Sequence, residues 1–85
     1  MKLQLRFFAS VREKLGTAQE TVDVPPQVRT VGDLRAWLRE RGGAWGETLA
    51  EGRALRMALD QDMCDAGAAL ADGAEVAFFP PVTGG

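Results

Sequence analysis

The last two residues of the 85-residue sequence, Gly84-Gly85, offer a main-chain carboxylate with no side chain beside it. A narrow channel can admit such a backbone, and a nucleophile can approach its acyl carbon unhindered. The carboxylate is ionised at neutral pH, with an ordinary pKa of roughly 3.5, and stays inert until it is activated as a mixed anhydride such as an acyl-adenylate. A sulfur nucleophile displacing AMP would then leave a thiocarboxylate. Side-chain chemistry is scarce by comparison. The chain has no His, no Tyr and a single Cys, Cys64, which rules out intramolecular disulfides, Cys or His metal clusters and imidazole-dependent nucleophiles. No metal site is expected. Nothing near Cys64 in sequence would lower its pKa, so it reads as a small hydrophobe.

The segment before the glycines determines how they are presented. Pro80-Pro81 follows the apolar run Val76-Ala77-Phe78-Phe79 and favours an extended backbone. Six residues, 80–85, would reach roughly 20 Å from the domain. Two terminal glycines alone would read as a frayed end; a strong strand and a diproline before them point to a presented tail. The expected organisation is a domain over 1–79 and an extended tail over 80–85.

Composition fits one small domain. Hydrophobic residues make up 46% and charged residues 26%, which is ordinary for a globular chain and too apolar for a disordered one. With 10 Lys and Arg against 12 Asp and Glu, a net charge of −2, no continuous basic stripe suggests nucleic acid. The alternation of MKLQLRFF resembles neither a membrane span nor a leader, so no membrane association and a cytoplasmic location are expected.

Period-two alternation predicts a strand at Leu3, Leu5 and Phe7, with Phe8 on the opposite face. VREKLG, residues 11–16, reads as a short turn, and Glu20–Val24 as a second strand in a hairpin with the first. Pro25-Pro26 stops it. Thr30 and Asp33 form a capping-box signature for a helix carrying Val31, Leu34, Trp37 and Leu38, with Gly42-Gly43 as the stop. Arg35, Arg39 and Arg41 read as its solvated face, and Trp45 falls in the loop beyond. Leu55, Met57 and Leu59 predict a third strand, Asp60-Gln61 a tight turn, and Met63-Cys64 a short fourth. Asp72-Gly73 turns into a last strand, Glu75–Phe79, with Val76 and Phe78 facing one way and Ala77 and Phe79 the other. Strands on both sides of one main helix predict an α+β, β-grasp (ubiquitin-like) fold, a mixed sheet wrapped around that helix.

Leu5 to Gly16, LRFFASVREKLG, and Leu70 to Gly85, LADGAEVAFFPPVTGG, resemble the opening and closing motifs of the small-subunit family of bacterial molybdopterin synthase (MoaD). The pattern runs over essentially the whole chain, and FFPPVTGG is its most specific part. The resemblance implies a sulfur carrier, a non-catalytic donor subunit of a synthase, with no bound cofactor. Gly85 would be adenylated with ATP by an E1-like adenylyltransferase and converted to a thiocarboxylate that gives sulfur to cyclic pyranopterin monophosphate. Two charged carriers would serve each dithiolene. The implied partner is the large synthase subunit, in a heterotetramer of two small and two large subunits. Gly84 and Gly85 carry over as the reactive tail, Phe8, Met63 and Phe79 as an apolar contact with the large subunit, and Pro80, Pro81 and Val82 as the part of the tail that enters it. Asp60, where relatives often carry Asn, and Ala74, where Asp is common, depart from the family in turns.

The same tail suits two other roles: a thiazole-synthesis sulfur carrier, against which FFPP argues, and a ubiquitin-like modifier attached to lysines of other proteins. A plain interaction domain with an unused tail is a third.

Overall fold

The computed structural model describes residues 1–81. Val82, Gly84 and Gly85 lie outside them.

Five strands, β1 (Lys2–Phe7), β2 (Gln19–Asp23), β3 (Arg56–Leu59), β4 (Asp62–Cys64) and β5 (Glu75–Phe79), form one mixed sheet in the order β2-β1-β5-β3-β4. β1 and β5 run parallel at its centre and the other neighbours are antiparallel. Leu3, Leu5 and Phe7 from β1 and Val76 and Phe78 from β5 are buried on one face, where Leu34 and Leu38 of the helix α2 (Val31–Arg39) cover them. This is the expected α+β, ubiquitin-like β-grasp arrangement.

Local chemistry accounts for the boundaries. The Thr30 hydroxyl accepts from Asp33 N–H at 3.1 Å, and the Asp33 carboxylate accepts from the backbone of Thr30 and Arg29 at 3.2 and 3.1 Å. These donors have no partner inside a helix, so the box fixes where α2 starts. They also hold the Asp33 carboxyl below its ordinary range, the Arg29 amide contributing most and the Thr30 amide next. Between β3 and β4, Asp60 and Gln61 both have left-handed backbones, φ 50° and 72°, as a two-residue hairpin turn needs. The Asp60 carboxylate accepts from Glu75 N–H at 3.0 Å, so Asp serves this turn. Ala74 is buried, and its carbonyl accepts from Gln4 N–H at 2.9 Å.

Several readings from sequence need correction. Residues 11–16 are not a turn: they belong to the helix α1 (Ala9–Leu15), closed by Gly16, whose left-handed φ of 75° lets its N–H return to the Arg12 carbonyl. The expected antiparallel pairing of β1 with β2 is present, with α1 in place of the short turn. α2 ends at Arg39, before Gly42-Gly43, and those glycines instead start α3 (Gly43–Thr48), which carries Trp45. Arg35 and Arg41 do not form a solvated face, because both are bound to the fold.

Arg41 joins α2, α3 and β2. Its guanidinium grips Glu20 of β2 with two bonds of 3.0 and 2.6 Å and lies 4.4 Å from the ring centre of Trp45. Trp45 in turn meets Phe7 edge-on at 5.5 Å. The guanidinium hydrogen bond is the main cause of a Glu20 pKa below the ordinary carboxylate value. A carboxylate lowered on folding contributes stability above its unfolded pKa and loses it as pH falls through the folded pKa. Glu20→Gln should therefore cost about 0.5–1 kcal/mol at pH 7, the range of a partly exposed bidentate pair. In urea unfolding the two proteins should converge as pH falls through the folded-state pKa of Glu20 and the carboxylate takes up its proton.

Candidate functional site

β5 leads straight into the diproline, so the surface around its end is the first candidate. Phe79 is the last residue of β5, half-buried, and Pro80 and Pro81 follow it, also half-buried. Parallel pairing of β1 with β5 aligns Phe7 with Phe78 and brings the ends of both strands together. Phe8, one residue beyond β1, is 44% exposed. Its ring meets that of Phe79 edge-to-face, with centres 6.5 Å apart, a favoured aromatic geometry. Phe8 N–H donates to the Phe78 carbonyl at 3.2 Å, and the Arg6 guanidinium lies 5.7 Å from the Phe8 ring centre. The residue that turns the chain here, Ala9, has a left-handed φ of 51°, which is unusual for a residue with a Cβ.

Met63 joins the same face by register. Arg6, Ala77, Ala58 and Met63 are successive cross-strand neighbours on β1, β5, β3 and β4. All four lie on the sheet face opposite α2. The two alanines form the floor of a shallow concavity of about 350 Å³, with Phe8, Phe79 and Met63 among its walls. Met63 is 54% exposed; it and Phe8 are the exposed large hydrophobic residues among those described. An aromatic pair and a methionine around one furrow make the contiguous apolar surface that marks interaction sites.

The structure thus groups Phe8, Met63 and Phe79, which the sequence had singled out, next to Pro80 and Pro81. The sequence reading missed the floor, Ala58 and Ala77, and the polar rim, Arg6, Gln61 and Glu75. The missed signal was a small residue at an outward position in two adjacent strands, which opens a furrow where a larger side chain would fill it. Glu75 sits 3.9 Å from Arg6, a loose surface pair of little energetic consequence.

Among the described residues no group of three or more His, Cys, Asp or Glu could hold a metal ion, and no helix is long and apolar enough to cross a membrane. Cys64 is half-buried against the core. Burial, and secondarily the charge of Asp65, push its thiol above the ordinary value.

Comparison with known proteins extends the likeness along the chain. The model of the ThiS family matches residues 5–85. The molybdopterin synthase sulfur carrier subunit of Escherichia coli (strain K12) is 40% identical over 83 residues, 98% of this chain and 99% of that protein. Among solved structures, SAMP1 from Haloferax volcanii superposes with a TM-score of 0.79 at 28% identity over the full length of both chains. A chain from the complex of subunits 1 and 2 of the molybdopterin-converting factor of Helicobacter pylori 26695 shares the fold, with a TM-score of 0.68 at 24% identity and full coverage of both.

The raised thiol pKa has a measurable consequence. Cys64 should be alkylated by iodoacetamide at pH 7.5 more slowly than an unstructured cysteine peptide, because less of it is thiolate. Alkylation at or above the peptide rate would contradict the assigned environment.

Proposed function

The chain belongs to the ThiS family, and from that membership we propose that it is the sulfur carrier subunit of a molybdopterin synthase, charged as a thiocarboxylate on Gly85. The observation that carries this reading is the continuity of the likeness: the family match runs through Gly85, and the relative from Escherichia coli that carries this name aligns over 98% of the chain.

The chemistry follows from an inert carboxylate. Its oxygen attacks the α-phosphate of ATP in an E1-like adenylyltransferase, pyrophosphate leaves, and Gly85 becomes an acyl-adenylate. A sulfur nucleophile then replaces AMP at the acyl carbon. The thiocarboxylate gives its sulfur to cyclic pyranopterin monophosphate within the large subunit, and hydrolysis restores the carboxylate. Each dithiolene takes two charged carriers, consistent with an assembly of two small and two large subunits. The chain supplies no acid or base to these steps. It supplies a tail free of side chains at its reactive end, a diproline that favours an extended backbone before it, and an apolar face beside that diproline. Phe8, Met63 and Phe79 would meet the large subunit while Pro80, Pro81 and Val82 enter its slot.

The furrow gives this reading an energetic test. Phe79→Asp would place a charge in an apolar contact, which is costly when the contact closes. Affinity for the large subunit should fall at least tenfold in calorimetry with the domain still folded. Unchanged affinity would remove Phe79 from the interface.

The tail gives the decisive test. Deleting Gly84-Gly85, or adding one residue after Gly85, should abolish thiocarboxylate formation and sulfur transfer with purified partners while leaving the thermal midpoint nearly unchanged. The added residue replaces the reactive carboxylate with an amide. Intact mass spectrometry should show the gain of one sulfur in place of oxygen on the native protein alone. Dithiolene synthesis by the extended, uncleaved protein would refute the carrier mechanism, and lysine-linked adducts in place of the thiocarboxylate would make the chain a modifier.

A further inference from the structure

Three exposed cations stand around the root of the tail. Lys14 comes from α1, Arg53 from the loop between α3 and β3, and Arg56 from the first position of β3. Lys14, Arg53 and Pro80 line one cleft, and Arg56 is the cross-strand neighbour of Phe79. Among the described residues no carboxylate comes within ion-pair reach of any of the three, whereas Arg6, Arg39 and Arg41 each have an acidic partner. Glu47 lines the adjoining cleft with Lys14 and Arg53 but pairs with neither. In a chain of net charge −2, this is a local positive excess at the point where the tail begins.

The loop carrying Arg53 is held in place. Arg35 reaches out of α2 and donates to the carbonyls of Leu49, Ala50 and Arg53 at 2.7, 2.5 and 3.2 Å, and Arg53 N–H closes a turn on Ala50 at 2.9 Å. A cation on a pre-ordered loop loses less freedom on meeting a partner. The collar is also continuous with the furrow, since Arg56 and Phe79 lie side by side.

We infer that Lys14, Arg53 and Arg56 form a cationic collar that engages acidic side chains on the rim of the slot through which the large synthase subunit receives the tail. The inference rests on the carrier reading above. Exposed rim charges act mainly on encounter, raising the association rate and orienting the approach, and add little to the final affinity. A carrier that must dock, deliver and leave benefits from fast encounter without tight retention.

The experiment measures association of the full chain with the purified large subunit across ionic strength. The combined Lys14→Glu, Arg53→Glu and Arg56→Glu variant should associate at least about tenfold more slowly at low salt. The gap should close near 1 M salt, where the Debye length is about 3 Å. The corresponding triple Gln variant should fall between, and it carries the test alone if charge reversal compromises folding as judged by circular dichroism. Equal rates and equal salt dependence for wild type and variants would overturn the collar, as would a gap that persists at 1 M salt. Those results leave the carrier reading intact if the wild type still transfers sulfur. A wild-type chain that neither binds the large subunit nor transfers sulfur would overturn both.

Discussion

Parallel pairing of β1 with β5 is the constraint on which the rest of the structure depends. It joins segments far apart in the chain, Gln4 with Glu75 and Phe7 with Phe78, and sets the most buried apolar side chains beneath α2. The same register has an effect on the opposite face. Because residues alternate between faces, fixing Phe7 and Phe78 inward fixes Phe8 and Phe79 outward and adjacent. The core and the aromatic surface are two sides of one pairing, and a one-residue slip would lose both.

Around that centre, polar groups bind the less regular parts to the sheet. Arg41 ties the end of α2 and the short α3 to β2 through Glu20 and the Trp45 ring. Arg35 does the same for the loop after α3 through three carbonyls. On the other side, Gly32 N–H donates to the Ala66 carbonyl at 2.8 Å, and a Cβ at Gly32 would sit 3.0 Å from that oxygen. The missing side chain lets the 65–71 segment lie against the first turn of α2. Burial in a small interior is thus supplemented by directional bonds.

The strands, the capped helix and the outward placement of Phe8 and Phe79 were legible in the sequence because each rests on a local rule: alternation, a capping box, a turn pair. The two short helices were not. α1 and α3 span 7 and 6 residues, too few for a helical period to stand out, and α3 contains two glycines that read as loop. The roles of Arg35 and Arg41 were hidden for another reason. Their partners lie 14 to 21 positions away, and only tertiary structure brings a carbonyl or a carboxylate to a side chain that looks solvent-facing on its own helix. The furrow was half-visible: its aromatic walls could be read, while its alanine floor needed the strand order.

The β1–β5 pairing also bears on how the molecule assembles. The β3–β4 hairpin and the capped α2 are local structures that can form early, whereas the central pair must close a loop of nearly the whole domain before its contacts repay the entropy spent. Phe8 acquires Phe79 as a neighbour only when that pair closes. A chain halted before closure, or one whose final strand has come away, carries the same residues but not the paired rings. Any protein that recognises those rings together is thereby reading whether folding has finished.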